Sequence, residues 1–194
     1  MLGIAVVAVL WKRRAFGDTL IVGTLVFFWL VTGVGYHLLF FSSINGLAIP
    51  FGVLFVLEAG LLAWVGFRHP GLSFRAGTDV YSLTGGLFVL YALIVYPIAG
   101  ALLGHGYPAS PSFGVTPCPT TIFTLGLLLL AEPPLPKRLI VIPFLWSLLG
   151  ATAPVLFGVV EDYGLLVTGL LSAGLILWRD HHVAPRSRSQ ASHA

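Results

Sequence analysis

Glu58 is the residue whose type and position most clearly suggest chemistry. It lies ten residues before Arg68 in a long apolar run, which places it roughly 15 Å from that edge of a membrane if the run is helical. A bare carboxylate at such a depth costs at least about 2.5 kcal/mol. We therefore expect Glu58 to be protonated or partnered inside a helix bundle. Tyr91, at a similar depth in another apolar run, is the expected partner.

This predicted intramembrane polar site has two interpretations. Ionisable groups within membrane spans are usually functional, so a relay for a proton or a cation is the first. The second is a neutral glutamic acid that hydrogen-bonds a hydroxyl group and so joins two helices. Ser147 and Thr168 lie at comparable depths and could supply such a hydroxyl.

Cys118 is the only cysteine, and it lies at the second position of a helix that we expect to begin at Pro117. Unpaired backbone N–H groups and the positive end of the helix dipole favour a thiolate there. A thiolate would suit a soft-metal ligand or a redox-active thiol. The alternative is a small buried residue between Pro117 and Pro119 that shapes the entrance of the helix.

Two histidines, His37 and His105, are expected on the same side of the membrane as Cys118. With Cys118, and with Glu161 and Asp162 from the next turn on that side, they would form a shallow site whose Cys and His donors suit zinc or copper. These residues come from four separate segments, and nothing in their spacing forces them together. The metal and any cofactor are therefore left unassigned, and an interfacial hydrogen-bonding role for each histidine stays open.

The surrounding chain has the composition of a membrane protein. Of its 194 residues, 57% are hydrophobic and 9% are charged, whereas about 25% of a soluble domain is charged. A single cysteine excludes a disulfide framework within the chain and any zinc or iron–sulfur site built from several cysteines. The formal net charge is +3, but no basic patch is interleaved with aromatic residues. The predicted partner is therefore a lipid bilayer and not nucleic acid.

The apolar runs predict an all-α fold, a polytopic bundle of transmembrane helices that forms one domain over residues 1–178. We expect six full spans joined by short polar segments: Asp18–Phe41, Gly46–Phe67, Val80–Leu103, Thr116–Ala131, Leu139–Val159 and Tyr163–Trp178. The fourth span is short, at about 24 Å, and it carries Cys118. Residues 179–194 are predicted to be a polar, disordered cytoplasmic tail.

Met1–Trp11 is predicted to be a partial N-terminal helix. Its length of about 16 Å falls short of the roughly 20 residues that a span needs. Basic residues follow this apolar run instead of preceding it, which is the wrong order for a signal peptide. We expect either the tail of a helix that begins upstream or a segment that enters the membrane only partway.

All ten basic residues fall on one side of this arrangement: Lys12, Arg13, Arg14, Arg68, Arg75, Lys137, Arg138, Arg179, Arg186 and Arg188. By the positive-inside rule that side is the cytoplasm. We therefore expect a cytoplasmic C-terminus and a location in the inner, or plasma, membrane. If one span were missing, the basic residues after it would fall on the opposite side, so the distribution of charges also favours six full spans.

Common catalytic signatures are absent from the sequence. It contains no G-x-x-x-x-G-K-[ST] loop, no H-E-x-x-H and no G-x-S-x-G, which excludes the usual P-loop, zinc-protease and serine-hydrolase arrangements. The loops are too short to hold a soluble catalytic domain. Enzymatic activity is not expected, and a thiol enzyme at Cys118 is the weakest hypothesis because no basic residue lies on that side.

The segment Gly114–Leu130, GVTPCPTTIFTLGLLLL, resembles a family of uncharacterised bacterial multi-pass membrane proteins known only as a domain of unknown function. The likeness covers most of the chain and rests also on Tyr96-Pro97, Gly35-Tyr36-His37 and Asn45. The resemblance implies a membrane protein with an additional N-terminal portion before its first helix. It implies no activity, substrate or site.

Two functions remain after these exclusions. A small transporter or ion-handling protein is favoured by Glu58, by the proline-interrupted span Leu139–Val159 and by the irregular entrance at Thr116–Thr120. A single intramembrane glutamate, however, provides few polar groups for a solute path. An accessory subunit that packs against a larger membrane complex, or against copies of itself, is favoured by recurrent small residues. Transport is the preferred prediction.

Overall fold

The computed structural model describes residues 2–12, 16–68, 72–103 and 113–191, and these are overwhelmingly helical. The only strand-like pairing among them is an isolated antiparallel bridge between Phe74 and Ala131. The α-helices are α1 (Leu2–Lys12), α2 (Gly17–Leu30), α3 (Ala48–Arg68), α4 (Val80–Leu90), α5 (Tyr96–Leu102), α6 (Pro117–Leu130), α7 (Arg138–Gly150), α8 (Ala153–Phe157) and α9 (Tyr163–Ala191). The π-helical stretch Val31–Phe40 extends α2, and the π-helical stretch Tyr91–Val95 joins α4 to α5.

Five helical segments in the described part of the chain are long and apolar enough to cross a membrane: Gly17–Ser43, Ala48–Phe67, Val80–Leu102, Arg138–Val155 and Val160–His182. The all-helical fold is thus confirmed, but the predicted sixth full span is not. The helix in its place, α6, has 14 residues and a length of only about 21 Å. The predicted partial helix at the N-terminus is present as α1, which has 11 residues and packs on α2.

The short helix α6 is the centre of the bundle. Each of its residues except Cys118 is buried, and α2, α4, α7 and α9 pack around it. Because protein covers its flanks, α6 does not have to match the thickness of a hydrocarbon layer. Its closest neighbour is α4, since a Cβ atom on Gly126 would lie only 2.8 Å from the carbonyl oxygen of Gly85.

Hydrogen bonds join the helix ends that the sequence predicts on one side, and we call this side the basic end. The backbone N–H of Arg75 donates to the carbonyl oxygen of Leu130 at 2.8 Å. The backbone N–H of Phe74 donates to Oδ1 of Asp18 at 2.9 Å. The start of α2, the loop after α3 and the end of α6 therefore meet, so α6 runs through the bundle from one end to the other.

Arg179 and Asp180 are not part of a solvated tail. Arg179 is 7% exposed, and its Nη1 donates to the carbonyl oxygens of Leu129 (2.9 Å) and Ala131 (2.8 Å) at the end of α6. Its Nε lies 3.2 Å from Oδ1 of Asp180. Arg179 thus satisfies carbonyl groups at the end of α6, and α9 continues past Trp178. The domain boundary after Trp178 stays a prediction. The cytoplasmic assignment of the tail stays a prediction.

Candidate functional site

The end of the bundle opposite the basic end holds a buried carboxylate with two hydrogen-bond donors, and we call it the Cys118 end. Asp162 immediately precedes α9, and its Oδ1 accepts a 2.6 Å hydrogen bond from the hydroxyl of Tyr96 on α5. The thiol of Cys118, on the first turn of α6, donates a second hydrogen bond to the Asp162 side chain. Donors of this kind are what a buried carboxylate requires. They also tie three helices together.

Tyr91 belongs to the Cys118 end as well. Its hydroxyl donates to the backbone carbonyl oxygen of Glu161 at 2.8 Å, and its ring centroid lies 6.3 Å from that of Tyr96. Gly164 permits this contact, because a Cβ atom there would overlap the Tyr91 ring. The hydrogen bond that we expected between Tyr91 and Glu58 is therefore not formed. The two residues share a predicted depth but not a contact of this kind.

His37 is buried among aromatic rings, with 1% of its surface exposed. Its ring centroid lies 4.9 Å from Phe55 and 5.3 Å from Trp146. Neither ring nitrogen has a hydrogen-bond partner in the part of the chain that the structure describes. Buried polar groups without a partner are uncommon in proteins. The ring nitrogens of His37 thus have unused hydrogen-bonding capacity.

Glu58 is fully buried on α3, with 0% of its surface exposed. Neither of its carboxyl oxygens has a hydrogen-bond partner among the described residues. The hydroxyl groups of Ser147 and Thr168, which we considered as partners, donate instead to carbonyl oxygens of their own helices. The structure therefore leaves Glu58 as a buried carboxyl group with unused hydrogen-bonding capacity.

Aromatic side chains of α3 and α7 contact His37, and one of them lies at the Cys118 end. Phe55 precedes Glu58 by three residues and so shares its face of α3. The ring of Phe55 contacts His37 and lies 5.0 Å, centroid to centroid, from that of Trp146. Trp146 in turn lies beside the Cys118 thiol. We call these residues the polar row, after their polar members: Glu58, His37, Trp146, Cys118 and Asp162, with Phe55 packed among them.

Two π-helical stretches position side chains at this site. A π-helical turn holds more residues than an α-helical turn and so changes the direction of the side chains that follow, and such turns are frequent at functional sites. Val31–Phe40 carries His37, while Tyr91–Val95 carries Tyr91 and leads directly into Tyr96. Neither stretch had a signal in the sequence analysis. The role of Trp146 was also missed, since a tryptophan in an apolar helix gives no sign of what it contacts.

The predicted metal site is not assembled within the described residues. In that part of the chain, no group of three or more His, Cys, Asp or Glu side chains is placed to hold a metal ion. His105 lies outside the described residues. Cys118 and His37 lie on different helices with Trp146 in contact with both. What the described residues offer is several buried or half-buried groups with titratable side chains, Glu58, His37, Cys118 and Asp162, with aromatic rings beside His37 and the Cys118 thiol.

Comparison with known proteins identifies the family but not an activity. The model of a family of unknown function, DUF6064, matches residues 1–187, so this chain belongs to that family. This result confirms the resemblance to an uncharacterised family. No curated protein and no solved structure matches the chain.

Proposed function

We propose that this member of the DUF6064 family is an integral membrane protein that transports or handles a proton or another small cation, with Glu58 as the binding group. The observation that carries this proposal is the state of Glu58, which is fully buried and has two unpartnered carboxyl oxygens. A bare charge at such a depth costs at least about 2.5 kcal/mol. Glu58 is expected to hold a proton or a small cation there.

The polar row supports a route for that proton or cation. His37 is the next group along the row that can bind a proton, and its ring nitrogens are also unpartnered among the described residues. Asp162 and Cys118 lie at the end of the row, at the Cys118 end of the bundle. A group that lies between Glu58 and Asp162 and changes its protonation state would connect the interior with one side of the membrane. Relays built from acidic side chains and histidines work in this way.

We also propose an orientation for the protein. The ten basic residues support a cytoplasmic basic end and C-terminus in an inner, bacterial plasma membrane. The Cys118 end would then face the other side. Fusions of a reporter active only in the cytoplasm to Ala194 test this orientation. Such a fusion is expected to be active. An inactive fusion, together with activity of a second reporter that works only outside the cytoplasm, would overturn the orientation.

Flux through proteoliposomes tests the function. With a pH-sensitive dye inside, an imposed Na⁺ or K⁺ gradient should change the internal pH when the wild-type protein is present. Glu58→Gln should lower the initial rate by about tenfold or more, because it removes the carboxyl group that is proposed to bind the cation. Asp18→Asn is the matched control, since it also converts a carboxylate to an amide but lies at the basic end. Equal rates for Glu58→Gln and the wild type would overturn the proposal.

Stability measurements separate this function from a structural role of the glutamate. Glu58 has no hydrogen-bond partner to lose among the described residues, so Glu58→Gln should unfold in detergent at the temperature of the wild type or above it. Glu58→Asp, which keeps the carboxyl group, should retain part of the flux. A large loss of stability in Glu58→Gln would instead point to a carboxyl group that holds helices together.

The second candidate function is an accessory subunit that packs against another membrane protein or a second copy. Gly60 and Gly86 favour it, because, apart from the adjacent helix backbone, no atom of the described residues lies within 4 Å of the place where a Cβ atom would stand on either glycine. Glycines on an outer helix face let a neighbouring helix approach closely. Gly60→Leu should then abolish co-purification of a partner, while the variant itself still folds as the wild type does. Failure of the wild-type protein to move any cation, together with such a partner, would favour this function over transport.

A further inference from the structure

A cavity of about 460 Å³ opens at the basic end, far from the polar row. It lies between the N-terminus of α4, the segment that follows α6, and α9. Its polar lining consists of Arg75, Arg179, Asp79, Glu132, Tyr81 and Ser82. Leu129, Leu130 and Pro133 supply an apolar part of the wall. The cavity thus combines ionic groups with an apolar wall at the level of the helix ends.

Arg179 is a fixed cationic group in this wall. Its Nη1 and Nε are used by the carbonyl oxygens of α6 and by Asp180, and its guanidinium carbon lies 5.6 Å from the centroid of the Tyr81 ring. Its Nη2 is buried and has no hydrogen-bond partner among the described residues. A buried donor that makes no hydrogen bond costs free energy. The guanidinium group therefore has an unused donor beside the cavity.

Asp79 is a fixed anionic group in the same wall. Its Oδ1 accepts hydrogen bonds from the backbone N–H groups of Tyr81 (2.9 Å) and Ser82 (3.0 Å), and its Oδ2 accepts one from the Ser82 hydroxyl (2.8 Å). Burial on its own would raise the pKa of Asp79, but these hydrogen bonds outweigh it and lower the pKa below the usual 3.8. Asp79 is therefore ionised at neutral pH.

The charges of the lining balance, and this balance selects the ligand. Arg75 and Arg179 face Asp79 and Glu132 across one cavity, and Asp180 already pairs with Arg179. A simple anion would meet two carboxylates there, and a simple cation would meet two guanidinium groups. A molecule that carries both charges can pair its phosphate with an arginine, for which arginine geometry is well suited, and its ammonium with a carboxylate.

We infer that this cavity binds a zwitterionic phosphate ester with a primary ammonium group, the chemistry of a phosphatidylethanolamine headgroup or of free phosphoethanolamine. The apolar part of the wall, where Pro133 is exposed beside the ends of Leu129 and Leu130, fits the glycerol portion of the lipid form. Basic pockets at the ends of membrane helices bind anionic headgroups, and the two carboxylates in this lining favour a headgroup that also carries an ammonium. This inference is independent of ion movement through Glu58.

Lipid retention by the full chain tests the inference. The purified protein is mixed in detergent with equal amounts of phosphatidylethanolamine, phosphatidylglycerol and phosphatidylcholine, and bound lipid is read by native mass spectrometry. The wild type should retain phosphatidylethanolamine about tenfold more than the other two, the value of one charged hydrogen bond. Arg75→Gln and Glu132→Gln, both at exposed positions, should each abolish this preference. Arg138→Gln, exposed at the same end but outside the cavity, should keep it.

Competition distinguishes the two sources of the ligand. Displacement of the lipid by millimolar phosphoethanolamine would assign the soluble molecule, whereas retention would assign the lipid, and both results support a site for this chemistry. Stronger retention of phosphatidylglycerol would show an anion site and overturn the inference. Equal retention of phosphatidylcholine, whose ammonium cannot donate a hydrogen bond, would overturn it as well, as would a preference unchanged in Arg75→Gln and Glu132→Gln.

Discussion

The hydroxyl of Tyr96 donates a 2.6 Å hydrogen bond to Oδ1 of Asp162, although 66 residues separate them in the chain. This bond fixes the start of α9 against α5, and the Cys118 thiol joins the same carboxylate from α6. Three helices that the sequence treats as independent apolar segments thus converge on one buried side chain. The rigidity of the Cys118 end depends on this carboxylate.

Tyr96→Phe should destabilise the protein, because it removes one of the two donors to a buried carboxylate. The expected loss is about 1–3 kcal/mol, measured as the shift in thermal unfolding in detergent. Tyr163→Phe removes the same hydroxyl from an exposed side chain and should stay within about 0.5 kcal/mol of the wild type. Equal effects of the two substitutions would contradict the role assigned to Asp162.

Gly126→Ala should loosen the contact between α4 and α6. The added Cβ would lie 2.8 Å from the Gly85 carbonyl oxygen and 3.0 Å from the Val89 nitrogen, and overpacking of this kind costs about 1–3 kcal/mol. Gly86→Ala is the control, since nothing in the described part of the chain lies within 4 Å of a Cβ atom there. An unfolding temperature for Gly126→Ala equal to that of the control would show that these helices can separate without cost.

Arg179→Met should be among the most damaging substitutions at the basic end. It removes one member of a buried ion pair. Among the described residues, Asp180 would keep only the backbone N–H of Leu135 as a donor, and the carbonyl oxygens of Leu129 and Ala131 would lose theirs. Breaking such a pair costs about 3–5 kcal/mol, so we expect a sharp fall in the yield of folded protein in membranes. Arg138→Met, on an exposed side chain, should express normally. Normal yield of Arg179→Met would remove the basis for treating Arg179 as structural.

The contribution of Asp79 should depend on pH. Because its pKa is lower in the folded chain than the usual 3.8, its stabilisation is present above that value and is lost as the pH falls through the folded pKa. At neutral pH, Asp79→Ala should cost about 0.5–2 kcal/mol through loss of the N-cap of α4. Thermal unfolding at several pH values should show the difference from the wild type narrowing in acid. A difference that stays constant would exclude an ionised cap.

The features that the sequence predicted well depend on local composition. Hydropathy finds apolar runs one at a time, and basic residues mark the ends of those runs. The grouping of Asp18, Phe74 and Arg75 at one end followed from that pattern. The status of α6 did not, because a short helix crosses the bundle only when other helices cover it, and its coverage by α2, α4, α7 and α9 is a property of packing.

Contacts between distant segments explain the errors. The sequence predicted the depth of Glu58 and of Tyr91 in the membrane. It did not predict towards which neighbouring helix each side chain points. Arg179 looks like a tail residue because its neighbours along the chain are polar, yet its partners are carbonyl groups of α6, some fifty residues away. His37 was identified by its type alone, and its aromatic surroundings come from α3 and α7.

Infrared difference spectroscopy on the reconstituted protein tests the role of Glu58 most directly. The C=O stretch of a protonated carboxylic acid should be present in the wild type, absent in Glu58→Gln, and lost reversibly when Na⁺ or K⁺ is added or the pH is raised. A band that is the same in both proteins, or one that responds to neither cation nor pH, would contradict the proposal that Glu58 exchanges a proton or cation within the bundle.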